Sequence, residues 1–158
     1  MEIKLASGKG VALVDFADYG LVSRYNWSYR YNTHDKSKGY AQSWINGKTV
    51  SMHRMIMHAQ KGQEIDHING NGLDNRRDNL RFCTHAENAR NGKQRANTSG
   101  YRGVYWNKRQ GNWQVQIRNA EGRLRWLGNF INVYDAAQAY NFAACIYHGK
   151  FARYNQPN

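Results

Sequence analysis

The sequence predicts an α+β protein built from several small layered modules. Of its 158 residues, 41% are hydrophobic and 13% are aromatic, a composition that suits several small cores better than one large core. Short segments of alternating polarity predict strands, and residues with N-cap chemistry precede segments of helical periodicity. No apolar stretch approaches the roughly 20 residues that cross a bilayer, so we expect neither a membrane span nor secretion.

The chain is strongly basic, with 23 Lys and Arg against 11 Asp and Glu and a formal charge of +12. Most of the excess follows residue 75, since residues 76–100 hold six basic and two acidic residues and residues 101–158 hold eight and two. This imbalance predicts a polyanionic partner such as a nucleic acid. Two cysteines, Cys83 and Cys145, cannot form a four-cysteine zinc site, and we expect them as reduced thiols in the cytoplasm.

Residues 1–50 predict a short β-rich N-terminal unit. Its predicted elements are a strand at 11–14, a brief helix capped by Asp15, and strands at 27–31 and 39–45. Asn46-Gly47 is a two-residue hairpin signal between the last of these strands and the next. Residues 52–59 then repeat apolar side chains at steps of three and four, which predicts a short amphipathic helix.

Residues 64–91 follow the order strand, loop, strand, helix. Residues 69–72, Asn-Gly-Asn-Gly, have the composition of a turn with positive-φ positions. A returning arm extends to Arg81, and Thr84 followed by Glu87 forms a capping box that predicts the start of a helix. This order is expected to bring the first strand against the beginning of the helix.

Four side chains in this segment predict a metal-dependent hydrolytic site. Asp66 and Asn88 offer a carboxylate and an amide oxygen, which are hard ligands suited to a divalent cation such as Mg²⁺. His67 can take a proton from water near neutral pH. Asn79, on the facing arm, can supply a carbonyl that orients the imidazole. Taken singly, each residue also fits ordinary capping or turn chemistry.

The spacing of Asp66-His67, Asn79 and Asn88 resembles the HNH (ββα-metal) nucleases of phage homing type. The resemblance covers the predicted module 51–91. It implies that Asp66 and Asn88 hold one metal ion, that His67 is the general base and that Asn79 orients it. The last position of the motif is Asn88 instead of His, which favours Mg²⁺ or Mn²⁺ over Zn²⁺.

Further residues are predicted around this site. His53, from the preceding helix, either lines the same site or is an ordinary packing histidine. Arg76, Arg77 and Arg81 form a basic cluster, which we expect to bind flanking phosphates or to stabilise the charge of the transition state.

A second module follows an extended basic linker. Residues 92–100 contain small polar residues and cations without apolar periodicity, which predicts the linker. In the module 101–158, three strand candidates joined by turns predict an antiparallel sheet. Asn132 predicts the cap of a helix in which small alanines recur at helical spacing, so that the helix can lie close against the sheet.

Residues 101–155 resemble the ethylene-response-factor type of DNA-binding domain, which also occurs in phage homing endonucleases. The segments that carry the resemblance are YRGVYW, WQVQIR, RWLGNF and DAAQAYNFAACIYHG. The resemblance implies that the sheet lies in the major groove of DNA, with contacts from Arg102, Gln116, Arg118 and Trp126. Arg pairs well with guanine and Gln with adenine. The alternative is that Gln116 and Arg118 only solvate an exposed sheet face.

Together these features predict a site-directed DNA endonuclease of homing type. It is expected to hydrolyse a phosphodiester bond with one divalent metal ion per chain and a histidine base, and to nick one strand as a monomer without a protein partner. Double-stranded DNA is the expected partner, and the cytoplasm of a bacterial host is the expected location of a phage gene product. The alternatives are a non-catalytic sequence-specific DNA-binding regulator and an RNA-binding module that uses its aromatic residues for stacking.

Overall fold

A computed structural model of the protein describes residues 1–6, 8, 10–31, 39–92 and 97–156. The chain forms two compact units, Met1–His85 and Ala86–Asn158. Both combine small antiparallel sheets with short helices, so the prediction of a mixed α and β protein is confirmed. Four residues of the predicted basic linker, 93–96, lie outside the described residues.

The first unit contains three small antiparallel sheets. The strands β1 and β2 form one hairpin, β3, β4 and β5 form a three-stranded sheet in that order, and β6 pairs with β7. Two short helices connect them, and a 3₁₀ turn at Arg77–Asn79 leads into β7. The bounds are β1 Glu2–Lys4, β2 Val11–Leu13, α1 Phe16–Val22, β3 Ser28–Tyr31, β4 Gly39–Ile45, β5 Lys48–Ser51, α2 Met52–Ile56, β6 Glu64–His67 and β7 Leu80–Cys83.

One hydrophobic core joins all of these elements. Trp27, Met52 and Ile56 are its largest buried apolar side chains, and Ile65 and Leu80 from β6 and β7 pack into the same cluster. Strands of three or four residues cannot bury a core alone, so they share one. The predicted division between residues 50 and 51 therefore does not separate two cores in the structure.

Two local predictions in this unit have different outcomes. The Asn46-Gly47 turn is confirmed, because both residues have positive φ angles, 49° and 77°, between the paired residues Ile45 and Lys48. Asp15 is the N-cap residue of α1, but its side chain makes no capping hydrogen bond. Its Oδ2 instead accepts a hydrogen bond of 2.8 Å from the backbone N–H of Arg77. A long-range contact has replaced the local cap.

The second unit is a three-stranded sheet packed on one helix. The short helix α3, His85–Asn91, begins at the end of the first unit and continues into the second. The sheet has the order β10, β9, β8, and its buried residues Val104, Val115 and Ile117 pack against alanines of the last helix. As predicted, the Asn132 side chain caps that helix by accepting from Tyr134 N–H. The bounds are β8 Val104–Asn107, β9 Asn112–Arg118, β10 Leu124–Phe130 and α4 Val133–His148.

Among the described residues, no helix has both the length and the apolar character needed to span a membrane.

Candidate active site

Asp66 and His67 occupy the end of β6 and are both buried. Each is 5% exposed, although both side chains are polar. In the β6–β7 hairpin Asp66 lies opposite Arg81, and His67 lies opposite Leu80. Because buried polar groups are costly unless they are partnered, their surroundings determine which chemistry they can support.

Arg81 is the ionic partner of Asp66. Its Nε and Nη2 both donate to Asp66 Oδ2, at 2.9 and 2.6 Å, and the two side chains are only 13% and 6% exposed. Arg81 was predicted to bind phosphate, and the structure places it on the carboxylate predicted to bind metal. The negative charge of Asp66 is therefore met by a cation within the first unit.

His67 lies in a cluster of rings with His53 and Tyr40. The ring centroids of His53 and His67 are 5.0 Å apart, and Tyr40 lies 5.3 Å from His53 and 5.8 Å from His67. The structure therefore brings His53 beside His67, one of the two alternatives considered for it. Tyr40, from β4, is a neighbour that the sequence analysis did not identify.

Asn75 is a polar partner of the His67 ring. Its Oδ1 lies 3.4 Å from His67 Nε2, and the residue is completely buried. Its Nδ2 donates to Leu73 O at 3.1 Å, and its backbone N–H donates to Leu13 O at 2.7 Å. Since the amide nitrogen is used by Leu73, an oxygen faces His67, which favours the tautomer with the proton on Nε2 and the lone pair on Nδ1.

Sequence reasoning missed Asn75 because it treated the Asp-Asn pair at residues 74–75 as part of the polar returning arm. The only available signal was the number of asparagines in this arm. Nothing local distinguishes an asparagine that turns the chain from one that faces a histidine.

Asn79 braces the loop that follows β6. Its Oδ1 accepts from Asn69 N–H at 3.0 Å, and its Nδ2 donates to Asp74 O at 2.7 Å. Both ends of the amide thus hold the loop next to His67. The orientation of His67 by Asn79, as implied by the family resemblance, stays a prediction.

The other two arginines of the predicted phosphate cluster are also paired with carboxylates. Arg76 contacts Asp74 at 2.7 and 2.8 Å, and its hydrogen bonds lower the pKa of Asp74. Arg77 contacts Asp18 at 2.7 and 2.8 Å and donates to Ile56 O at 3.0 Å. Sequence proximity grouped these arginines, whereas their partners lie in different parts of the fold. Phosphate binding by either residue stays a prediction.

His53 is held in its neutral form. Burial lowers its pKa from 6.5 to about 3, with smaller contributions from the nearby His67 and Arg54. Its Nδ1 is buried and has no hydrogen-bond partner among the residues that the structure describes. A neutral imidazole beside His67 adds no positive charge to the site.

We expect this histidine to make the first unit less stable in acid. Below pH 6.5 the unfolded chain takes up a proton at His53 while the folded chain does not, so stability falls as the pH drops from 6.5 towards 3. At pH 5 the loss attributable to His53 is about 2 kcal/mol. Urea unfolding at pH 7 and pH 5 should show a smaller difference for His53→Gln than for the wild type. His58→Asn, at an exposed histidine, is the control. If the free energy of unfolding falls equally between pH 7 and pH 5 in the wild type and in His53→Gln, His53 is not the cause of the acid sensitivity.

Asn88 lies in α3, within the second unit. Arginines of that unit bind the last carbonyls of the helix and its following residue. Arg102 donates to Arg90 O and Gly92 O, and Arg153 donates to Asn91 O at 2.7 Å. These bonds satisfy carbonyl groups that a helix end leaves without intrahelical partners.

This position of Arg102 differs from that of a residue on an open sheet face. Burial is the main reason that its pKa is lowered, and its guanidinium holds the end of α3. Arg102 also lines one cleft together with Gln116 and Arg118. Gln116 pairs with Trp126 across β9 and β10, and Arg118 pairs with Leu124, which places all four on one face of the sheet. Trp126 is 63% exposed. DNA contact by Arg102, Gln116, Arg118 and Trp126 stays a prediction.

The donor atoms of the predicted metal site fit a hard divalent cation. Asp66 is a buried carboxylate that already attracts a cationic group, and Asn88 adds a neutral amide oxygen. Within the described ranges, no cluster of three or more His, Cys, Asp and Glu side chains could hold a metal ion. The sharing of one ion by Asp66 and Asn88 stays a prediction.

Comparisons with known proteins identify relatives of the chain. A family profile described as HNH endonuclease matches residues 52–90, the segment that contains Asp66, His67, Asn79 and Asn88. The chain is 38% identical over 101 residues to "Protein 3.8" of Escherichia phage T7, an alignment that covers 60% of the chain and 77% of that protein.

Two further relatives differ in what they share with the chain. "Dehydration-responsive element-binding protein 2C" of Arabidopsis thaliana is 47% identical over 58 residues, which is 36% of the chain but only 17% of the plant protein. "Uncharacterized HNH endonuclease L560" of Acanthamoeba polyphaga mimivirus is 30% identical over 159 residues, covering 96% of the chain and 79% of that protein. Because an HNH relative is 30% identical over 96% of the chain and 79% of its own length, and because the family profile matches residues 52–90, the chain belongs to the HNH endonuclease family.

Proposed function

We propose that the protein is a metal-dependent DNA endonuclease of homing type that nicks one strand of its target. The observation that carries the proposal is the arrangement around His67. The imidazole is buried next to Asp66, and Asn75 presents an oxygen to its Nε2. In the tautomer with the proton on Nε2, Nδ1 carries the lone pair that a general base requires.

In the proposed mechanism His67 takes a proton at Nδ1 from the water that attacks the scissile phosphate. Asn75 then stabilises the proton on Nε2, and the neutral His53 avoids repulsion of the imidazolium that forms. The products are a 5′-phosphate and a 3′-hydroxyl. A divalent cation held by Asp66 and Asn88, when bound, supplies Lewis-acid stabilisation of the negative charge that develops on the phosphate.

Arg81 has two roles in this proposal. In the structure its guanidinium neutralises Asp66 through two short hydrogen bonds. Asp66 would hold the cation through its carboxylate, and we infer that Arg81 contacts a phosphate oxygen of bound DNA, the role predicted from the sequence. Arg81 thus balances the charge of the site without DNA and contributes to phosphate binding with it.

The second unit positions the nuclease on DNA. Its exposed sheet face combines Gln116, Arg118 and Trp126, and residues 101–158 hold eight basic and two acidic residues. The 58-residue similarity to a plant protein named for binding a DNA element supports this role. We infer that this face contacts bases and phosphates in the manner of the ethylene-response-factor domains.

The proposal is tested with supercoiled plasmid that carries candidate target sites. We expect conversion to the nicked form with Mg²⁺ or Mn²⁺ and no conversion with EDTA. Asp66→Asn and Asn88→Ala should raise the metal concentration required for half-maximal nicking by about tenfold or more, because the first replaces a charged ligand by a neutral one and the second removes a ligand. Asp78→Asn, an exposed acid on the same arm, is the matched control.

Two outcomes would contradict the proposal. Nicking that persists in EDTA would exclude the metal-dependent mechanism. Tight sequence-specific binding without nicking at any tested metal concentration would favour the alternative, a non-catalytic DNA-binding regulator.

A further inference from the structure

The sheet of β3, β4 and β5 has an outer face that the proposed mechanism does not use. Along β4 the residues alternate, and Gly39, Ala41, Ser43 and Ile45 are the buried ones. In an antiparallel sheet, residues directly opposite each other point to the same face. The partners of the buried β4 residues therefore face the core, and the partners of the residues between them face outward. The alternate set forms the outer face: Ser28 and Arg30 on β3, Tyr40, Gln42 and Trp44 on β4, and Thr49 and Ser51 on β5.

The outer face opens into a cleft of about 470 Å³. Five of the residues that line the cleft belong to the outer face, and the neighbouring loop adds Arg24 and Asn26. Among the described residues that line the cleft none is acidic, and two are arginines. Trp44, which also lines the cleft, is 72% exposed, so its ring is available for contact with a ligand. Two cations, a tryptophan and several hydroxyl and amide groups have the chemistry of a nucleic-acid surface.

The outer face also leads directly to the candidate active site. Tyr40 is at one end of the row of β4 side chains that contains Gln42 and Trp44, and its ring centroid is 5.8 Å from that of His67. Trp44 lies four residue steps along β4 from Tyr40, a distance of about 13 Å. This length corresponds to about four nucleotides of one strand of B-DNA.

From this continuity and the charge of the cleft, we propose that the outer face binds the DNA duplex that flanks the cleavage position. Arg24 and Arg30 contact phosphates, Trp44 packs against the sugars, and Tyr40 marks the point where the strand enters the site of His67. The nuclease unit then holds DNA itself, separately from the sheet of the second unit. The inference rests on the proposed function for its substrate, but its test measures binding alone.

The test compares Arg30→Ala/Trp44→Ala with Lys61→Ala/Phe16→Ala in the full chain. The control removes one cation and one exposed aromatic side chain of the same unit outside the cleft, since Phe16 is 83% exposed. Binding to a short fluorescent duplex of random sequence is measured by anisotropy in EDTA over a salt titration. We expect the face variant to bind about tenfold more weakly than the control, with a salt slope reduced by about one.

Several results would overturn the inference. Equal affinities and equal salt slopes for the face variant and the control would contradict duplex binding by the outer face. A loss of affinity seen only with single-stranded DNA or RNA probes of the same length would also contradict it. Urea unfolding checks the stability of each variant. If Arg30→Ala/Trp44→Ala does not fold, the smaller change Arg30→Gln replaces it. The binding test in EDTA does not depend on cleavage. If the face variant binds more weakly but the wild type never nicks plasmid, the inference holds and the proposed function is refuted.

Discussion

Substitution of His67 by alanine is expected to lower the rate of nicking by roughly 10²- to 10⁴-fold, the usual contribution of a general base. The affinity for DNA should change little, because His67 is 5% exposed and offers little surface to the duplex. Single-turnover nicking of supercoiled plasmid with excess protein measures the chemical step. Anisotropy with a labelled duplex measures binding in parallel.

Two controls separate loss of the base from loss of structure. Added imidazole should restore part of the nicking by His67→Ala, since the cavity left by the ring is lined by the rings of His53 and Tyr40. His58→Asn, at an exposed position with positive φ, should nick like the wild type. If His67→Ala keeps more than about a tenth of the wild-type rate, His67 is not the general base.

Substitution of Arg77 by alanine is expected to destabilise the first unit by about 2 kcal/mol. Arg77 donates to both oxygens of Asp18 and to the carbonyl of Ile56, so it ties the 3₁₀ turn before β7 to α1 and α2. Asp18 is 4% exposed, and breaking a buried ion pair costs roughly 3–5 kcal/mol. Since the Arg77 side chain is 47% exposed, water screens the pair and the smaller value is appropriate.

Urea unfolding with and without a second substitution tests this assignment. In Arg77→Ala/Asp18→Asn the unpaired charge is gone, so part of the lost stability should return. Arg76→Ala is the comparison, because Arg76 is hydrogen-bonded to Asp74, only two residues away. Unchanged stability with weaker DNA binding in Arg77→Ala would mean that the residue binds phosphate, as predicted from the sequence, and does not hold the fold.

Much of the secondary structure could be predicted because its signals are local. The turn at Asn46-Gly47 requires positive φ angles that these two residues accept readily, and Asn132 caps α4 with its own side chain. The alternation along β4 and β9 follows from which residues face the core. Each of these predictions used only residues within one element or its immediate flanks.

The partners of the arginines could not be predicted in the same way. Arg77 meets Asp18, which is 59 residues away, and Arg102 meets the end of α3 rather than a free surface. A guanidinium on a long side chain can donate hydrogen bonds to phosphate, carboxylate and carbonyl oxygens alike. Only the path of the backbone decides which of them lies within reach.

By itself, the sequence determined the types of elements, the basic character and the residues that place the chain with the HNH nucleases. Those features depend on side-chain chemistry and on spacing along the chain. Tertiary structure alone decided that Asn75 faces His67, that Arg81 neutralises Asp66, and that the outer face of the first sheet leads to Tyr40. These contacts join segments that are separate in sequence, and hydrogen bonds form only where packing of the core brings the groups within about 3 Å.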